Sequence, residues 1–140
     1  MDDTQELLAD LYIVCQPIML CSDINVIDGY EVLLRSKKQP GFPEKTFLWF
    51  IEEEQRNSEL LAYYSKELKK IIAATSNIKL ALNLHPKQLQ HQSTWLFLDT
   101  IVSMKENISI ELTEHYCTFD PAEGADMLQT YISKLKTKDF

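Results

Sequence analysis

Length, composition and charge set the outer limits for this chain. Its 140 residues are 45% hydrophobic, which suits one globular domain over residues 1–140 that is large enough to bury a core. No apolar stretch reaches the roughly 20 residues of a membrane-spanning helix, and the acidic start lacks signal-peptide character, so the expected location is cytoplasmic and away from a membrane. The net charge of −7 argues against a nucleic-acid polymer as partner, because such binding depends on many Lys and Arg contacts to phosphates.

The first third of the chain predicts a helix and then a pair of strands. Residues 1–10 suit either a short amphipathic helix or a frayed lead-in. The runs 11–21 and 26–36 suit two strands around Ser22-Asp-Ile-Asn25, whose Asp and Asn are typical of a turn. Together they predict a β-hairpin, and the Pro- and Gly-containing stretch 36–43 predicts a loop after it.

The middle of the chain shows apolar residues at helical spacing. A helix is predicted over residues 44–57, and a second helix is predicted to begin at Asn57 or Ser58, either of which can cap it. A later helix is predicted to begin at Ser93 or Thr94 for the same reason.

Two further strands and a last helix complete the order. Strands are predicted at 78–84 and 108–112, and Asp120-Pro-Ala-Glu123 combines a cap, a first-turn proline and a reciprocal acid that together predict a final helix. The order is strand, strand, helix, helix, strand, helix, strand, helix. It is typical of an α/β fold whose sheet is parallel over at least its later part.

Parity along three of the strands separates an apolar face from a polar one, because successive side chains of a strand point to opposite faces. Glu31 shares a face with Leu33 and Arg35, and Asn83 and Glu111 each lie opposite the apolar residues of their own strands. Strands covered on both sides usually read as unbroken hydrophobic runs. Acids and amides at these positions therefore predict a curved sheet with helices outside and a hydrophilic site inside.

Each of these polar residues also has a plainer interpretation. A single Glu near a strand end is more often a solvated or ion-paired residue than a functional one. The joint pattern of Glu31, Asn83, Glu111 and Arg35 favours a site instead. Elsewhere, we expect Glu52-Glu-Glu54 to form a solvated helix face, the three cysteines to be buried, reduced thiols, and the three histidines to be loop or surface residues.

Four short segments occur in the order and at the spacing of the motifs of EAL domains, which are named for a Glu-Ala-Leu signature. They are Tyr12-Ile-Val-Cys-Gln-Pro-Ile18, Glu31-Val-Leu-Leu-Arg35, Asn83-Leu-His-Pro86 and Glu111-Leu-Thr-Glu114. From residue 12 to about residue 136 the chain thus resembles this family, with valine in place of the signature alanine. The resemblance implies a fold similar to a TIM barrel with one reversed strand, and hydrolysis of cyclic di-GMP to a linear dinucleotide with Mg²⁺ or Mn²⁺.

The resemblance also implies roles for single residues. Glu31, Asn83 and Glu111 would be metal ligands, consistent with the oxygen donors that Mg²⁺ prefers. Arg35 would bind a phosphate of the ligand, for which its planar fork of donors is suited. In addition, the resemblance implies that Gln16 and Leu33 touch the dinucleotide and that Glu114 anchors a later active-site loop.

The chain also departs from the family. A barrel of this kind takes roughly 250 residues, and these 140 residues contain no Asp-Asp-Phe-Gly motif, nor the later strands on which the family carries a catalytic lysine, a further glutamate and a glutamine. We therefore expect the N-terminal half of the fold, an open rather than a closed barrel. Alone, it is expected to hydrolyse cyclic di-GMP negligibly.

An open half barrel exposes unpaired backbone groups on its terminal strands. Two copies are therefore expected to pair through their open sheet edges as a homodimer. Two classes of function remain open at this point: a cyclic di-GMP phosphodiesterase, and a non-catalytic descendant that binds the dinucleotide or a protein partner.

Overall fold

The computed structural model describes residues 3–75, 77–112, 133, 134 and 136. In chain order the elements are α1 (Asp3–Asp10), β1 (Leu11–Met19), β2 (Ile27–Ser36), α2 (Glu44–Ile51), α3 (Glu54–Ala74), β3 (Leu80–Leu84), the 3₁₀ helix η1 (Pro86–Gln90), α4 (Gln92–Ile101), the 3₁₀ helix η2 (Val102–Met104) and β4 (Ile108–Leu112). The helix predicted from Asp120 lies outside the described residues except for its last positions.

Within the described residues, four strands form one open sheet in the order β1-β2-β3-β4. Strand β1 runs antiparallel to β2, whereas β2, β3 and β4 are parallel. At the hairpin turn the backbone N–H of Asn25 donates to Oδ1 of Asp23 at 2.9 Å, which is the local hydrogen bond expected of an Asx turn. The predicted hairpin and the parallel later part of the sheet are confirmed.

One face of the sheet is covered by the helices. The core-facing apolar residues of β2 and β3, together with Ile108 of β4, are buried in a single cluster with residues of α2, α3 and α4. The least exposed members of this cluster include Phe50, Ile51, Leu60, Leu68, Leu80, Leu84, Leu98 and Ile101. On the opposite face Ser109 and Glu111 are exposed and Glu31 and Asn83 are half-buried. The period-two pattern of the sequence therefore assigned the two faces correctly.

Two of the predicted helix starts are wrong for the same reason. Helix α3 begins at Glu54 rather than at Asn57 or Ser58, and α4 begins at Gln92 rather than at Ser93 or Thr94. The side chain of Asn57 lies inside α3, fully buried, and donates to the hydroxyls of Ser93 and Thr94. These residues pair across the α3–α4 contact instead of capping their own helices.

The expectations for cysteine and histidine hold only in part. Cys21 is exposed and Cys15 is half-buried, because one lies in the open hairpin turn and the other on the edge strand β1. Cys117 lies outside the described residues. His85 does follow β3 in a connection, but it is 3% exposed and therefore not a surface residue. No helix in the described part of the chain has the length and apolar content that a membrane crossing requires.

Candidate functional site

The candidate site lies on the face of the sheet that points away from the core. In the β3–β4 register Asn83 is opposite Glu111, so these two side chains are neighbours on the same face. Glu31 on β2 is opposite Ala81, two residues before Asn83 on the same strand, so Glu31 and Asn83 are diagonal neighbours. The three predicted ligands therefore occupy adjacent positions on three parallel strands.

Glu31 and Asn83 are in direct contact. Nδ2 of Asn83 donates to Oε1 of Glu31 at 3.0 Å. Long side chains bridge the diagonal separation between neighbouring strands, which accounts for this bond without distortion of the ladder. Two residues that are 52 positions apart in the chain thus share one site.

The chemistry of this set suits a hard divalent cation. Glu31 and Glu111 provide carboxylate oxygens and Asn83 an amide oxygen, which are ligand types of Mg²⁺ and Ca²⁺. An amide NH₂ is not a metal ligand, so joint coordination by Glu31 and Asn83 requires the amide to turn its oxygen to the cation. Within the described residues there is no cluster of three or more His, Cys, Asp or Glu side chains that suits a metal, so the amide is needed to complete the set.

The residues predicted to contact the dinucleotide lie on the same face. Gln16, on β1, is directly opposite Glu31 in the hairpin register, and Tyr12 is directly opposite Arg35. Arg35 is half-buried, and its Nη1 donates to the carbonyl oxygen of Leu34 at 2.8 Å. That bond uses one N–H of a group that has five, so the guanidinium retains donors for an anion.

A cavity of about 290 Å³ adjoins these residues at the carboxyl ends of β2 and β3. Leu33, Arg35 and Asn83 line it, together with Phe42 and Phe47, whose ring centroids are 5.3 Å apart. The aromatic part of this wall was not predicted as part of a site. Phe47 carries the helical periodicity of a core residue and Phe42 lies in a loop, so neither has a local sign of a second role.

His85 also lines the cavity and is neutral. Its Nδ1 accepts the backbone N–H of Lys87 at 3.0 Å, so the ring proton is on Nε2. Burial, with a smaller effect of the Lys87 charge, lowers the pKa of His85 to about 4. Burial likewise raises the pKa of Tyr64, a further lining residue, which therefore remains a neutral phenol. Of the described residues that line the cavity, Arg35 carries the positive charge.

Comparison with known proteins identifies the fold. No protein-family model and no curated protein matches the chain. Among solved structures, the FimX EAL domain of Xanthomonas citri, in complex with c-diGMP, has a TM-score of 0.59 at 15% identity over 96% of this chain and 55% of that one. BlrP1 of Klebsiella pneumoniae, in a calcium/cy-diGMP complex, has a TM-score of 0.55 at 20% identity over 87% of this chain and 32% of that one. The PaMucR phosphodiesterase, in a c-di-GMP complex, has a TM-score of 0.51 at 20% identity over 89% of this chain and 56% of that one.

The chain has the fold of part of an EAL domain. It spans just over half of the FimX EAL domain structure and about a third of BlrP1. The partial EAL fold confirms the predicted fold class, a hairpin followed by alternating helices and strands, with an open sheet over the described residues. Six of the predicted site residues lie on one face of the sheet: Gln16, Glu31, Leu33, Arg35, Asn83 and Glu111. Glu114 lies outside the described residues.

Proposed function

We propose that this chain forms part of an EAL-type signalling domain that acts on cyclic di-GMP, with Glu31, Asn83 and Glu111 as ligands of Mg²⁺ or Mn²⁺. The observation that carries the proposal is the contact between Asn83 and Glu31 at 3.0 Å, combined with the register pairing of Asn83 and Glu111. It supports a shared cation because three oxygen-bearing side chains from three strands meet on one solvent-facing surface. The solved complexes of BlrP1 with calcium or manganese and cyclic di-GMP support the same class of ion and ligand.

The surrounding residues suit the binding of a phosphate-linked dinucleotide. When bound, divalent ions at such a site activate water and stabilise the oxygens around phosphorus. We assign the phosphate contact to Arg35, whose remaining N–H donors match two oxygens of one phosphate. Leu33 offers apolar surface at the cavity wall, and Gln16 extends an amide from β1 beside Glu31.

We propose further that the 140-residue chain alone binds the dinucleotide with negligible turnover. Two-metal hydrolysis requires two ions held roughly 4 Å apart. The described residues offer three candidate ligands, Glu31, Asn83 and Glu111, which are too few to hold that pair. The same observation favours the second candidate function, a non-catalytic module that binds cyclic di-GMP or a protein partner through this surface.

The open edge of the sheet supports a homodimer. Among the described residues β1 pairs with β2 alone, and its apolar residues Ile18 and Met19 are about two-fifths exposed, at 38% and 40%. An edge strand with open backbone groups pairs readily with a second copy. Light scattering is expected to give twice the monomer mass, and Ile18→Lys, which places a charge on the edge, is expected to give the monomer. A monomeric mass for the unmodified chain would refute the dimer.

Calorimetry with Mn²⁺ and with cyclic di-GMP tests the proposed site. Glu31→Gln is expected to weaken Mn²⁺ binding at least tenfold, because it removes a charged ligand. Glu52→Gln makes the same chemical change at an exposed position and is expected to bind like the unmodified chain. Equal Mn²⁺ affinity in Glu31→Gln and Glu52→Gln would refute the metal site.

The dinucleotide titration separates the two functions. Binding of cyclic di-GMP that needs Mn²⁺ supports the EAL-type site, whereas equal binding in the presence of a chelator supports a metal-free binding module. A linear dinucleotide product from the pure 140-residue chain with Mn²⁺ would refute the proposed lack of turnover.

A further inference from the structure

Two buried amides, Asn57 and Gln88, lie behind the end of β3. Their exposed fractions are 0% and 1%, and burial of an amide is costly unless its donors and acceptors are paired. Nε2 of Gln88 donates to Oδ1 of Asn57 at 3.1 Å, and Nδ2 of Asn57 donates to the hydroxyls of Ser93 at 2.8 Å and Thr94 at 2.9 Å. Oε1 of Gln88 accepts the backbone N–H of His85 at 3.0 Å. We name Asn57 and Gln88 the amide relay.

The amide relay has one allowed direction. The backbone N–H of His85 can only donate, so Gln88 must present Oε1 to it and its NH₂ group to Asn57. Asn57 must then present Oδ1 to Gln88 and its NH₂ group to the hydroxyls of α4. Turning either amide over sets donor against donor or acceptor against acceptor within the relay. The buried network therefore holds the backbone at His85 in one arrangement.

The relay acts where the β-ladder ends on one side. The last register pair between β2 and β3 in the described sheet is Val32 with Leu82, one residue before Asn83. On the other side Asn83 is still opposite Glu111. Two residues further along, His85 is held by the relay. Asn83 thus follows the part of β3 that pairs with both β2 and β4, and it precedes the connection at His85 that the two buried amides hold.

We propose that the amide relay is a positioning device for Asn83. By anchoring His85 it sets the direction in which β3 ends, and therefore the place at which the Asn83 amide meets Glu31. Asn57 acts indirectly, because it fixes the orientation of the Gln88 amide. The inference rests on the proposed function where it concerns metal binding, but the contact between Asn83 and Glu31 can be measured without any metal.

The test compares Gln88→Met with Thr94→Val. Methionine keeps the shape of glutamine but cannot accept the His85 N–H or donate to Asn57. Thr94→Val removes one hydrogen bond at the far end of the network and leaves the link from Asn57 to His85 intact. Two quantities are measured at a temperature where both variants are fully folded: Mn²⁺ affinity by calorimetry, and the NMR shifts and hydrogen exchange of the Asn83 side-chain amide in chelator.

Gln88→Met is expected to weaken Mn²⁺ binding about tenfold, the effect typical of losing a group that orients a metal ligand. It is also expected to speed exchange of the Asn83 amide hydrogens, whereas Thr94→Val is expected to change neither quantity. If Gln88→Met binds Mn²⁺ like Thr94→Val, the proposal is wrong. If the unmodified chain binds no Mn²⁺, the metal site fails, and the Asn83 exchange rate alone decides the positioning role.

Gln88→Glu provides the conservative rescue, and it also serves if Gln88→Met does not fold. Its carboxylate still accepts the His85 N–H, and Asn57 can turn its amide to donate, because the hydroxyls of α4 can donate in return. Exchange of the Asn83 amide is expected to match the unmodified chain in this variant. A disturbed Asn83 amide in a folded Gln88→Glu chain would overturn the proposal.

Discussion

Asn83 and Glu31 meet through a hydrogen bond of 3.0 Å between an amide nitrogen and a carboxylate oxygen on the open face of the sheet. The bond joins the middle of β2 to the carboxyl end of β3, and barrel enzymes place their functional groups at the carboxyl ends of the strands. This hydrogen bond must also break before a cation can bind to both residues, because the Asn83 amide has to rotate until its oxygen, rather than its NH₂ group, points to the cation. Substitution of either residue is therefore expected to change stability and metal binding together.

Asn83→Asp is expected to have opposite effects on these two properties. Without metal it replaces a hydrogen bond with a like-charge contact, which costs about 1–2 kcal/mol in the free energy of unfolding at neutral pH. With Mn²⁺ the added carboxylate is a better ligand than the amide, so affinity rises and the stability loss shrinks. Denaturant unfolding in chelator and in Mn²⁺ measures both effects.

The control for Asn83→Asp is Gln90→Glu. It makes the same amide-to-acid change at an exposed position of η1 and is expected to leave both quantities unchanged. A stabilised Asn83→Asp protein in chelator would show that the contact with Glu31 is not formed.

The two described glycines are required for different reasons. A Cβ on Gly29 would lie 3.0 Å from the carbonyl oxygen of Lys79, which already accepts the backbone N–H of Tyr30 at 2.8 Å. Gly41 has open space around it but a φ of +75°, a region that disfavours side chains. Gly29→Ala is expected to cost about 1–3 kcal/mol through overpacking between β2 and β3, and Gly41→Ala about 1 kcal/mol through backbone strain.

Asparagine separates the two reasons, because it tolerates positive φ better than alanine does but is larger. Gly41→Asn is expected to be more stable than Gly41→Ala, and Gly29→Asn less stable than Gly29→Ala, by urea midpoints. The same order at both positions would contradict these assignments.

His85 is expected to make stability depend on pH. Burial, more than the charge of Lys87, lowers the pKa of His85 to about 4 in the folded chain, against an ordinary value of about 6.5 in the unfolded chain. The unfolded state therefore binds the proton first as the pH falls. The contribution of His85 is complete above about pH 6.5 and is lost towards pH 4, by at most about 3 kcal/mol.

The measurement is the unfolding midpoint between pH 4.5 and 7.5, in chelator. His85→Asn keeps an acceptor for the Lys87 N–H but does not titrate, so its pH dependence is expected to be flatter. Parallel pH profiles for the two proteins would show that His85 is solvated or already charged.

Arg35 is expected to determine affinity for the dinucleotide. Arg35→Met removes the positive charge from the cavity wall and is expected to weaken cyclic di-GMP binding by at least tenfold, because a charge-assisted contact to phosphate is lost. Arg35→Lys is expected to recover only part of the affinity, since a single ammonium does not reproduce the planar fork. Lys69→Met, on the exposed surface of α3, is the control for the change in net charge. Equal affinities in Arg35→Met and Lys69→Met would remove Arg35 from the site.

Local pattern was sufficient for the strands and for the polarity of their faces. The strand predicted at 108–112 coincides with β4, and the predicted polar positions Glu31, Asn83 and Glu111 all lie away from the core. Period-two alternation is a property of neighbouring residues, so it is readable before any fold is known. The contact of Asn83 with Glu31 follows from strand order and register, and register depends on partners that are distant in the chain.

Polar residues at helix ends have partners that the sequence did not predict. Glu54 is exposed, as expected, but its carboxylate also accepts the backbone N–H of Ser93 at 2.7 Å and lies 3.2 Å from Nδ1 of His91. Asn57 was expected to cap its own helix, yet it pairs with Gln88 and with the start of α4. A side chain that can cap can equally serve a distant backbone or side-chain group, and the choice depends on which groups the fold buries beside it.

The amino-acid sequence by itself determined the alternation of strands and helices, the inward and outward faces, and a family-like set of oxygen-bearing side chains, because all of these depend on local spacing and residue type. Only the tertiary structure decided that Asn83 touches Glu31, that two phenylalanines border the cavity, and that Asn57 and Gln88 hold the end of β3. Those contacts form between residues tens of positions apart, and their geometry is set by sheet register and helix packing that no local pattern contains.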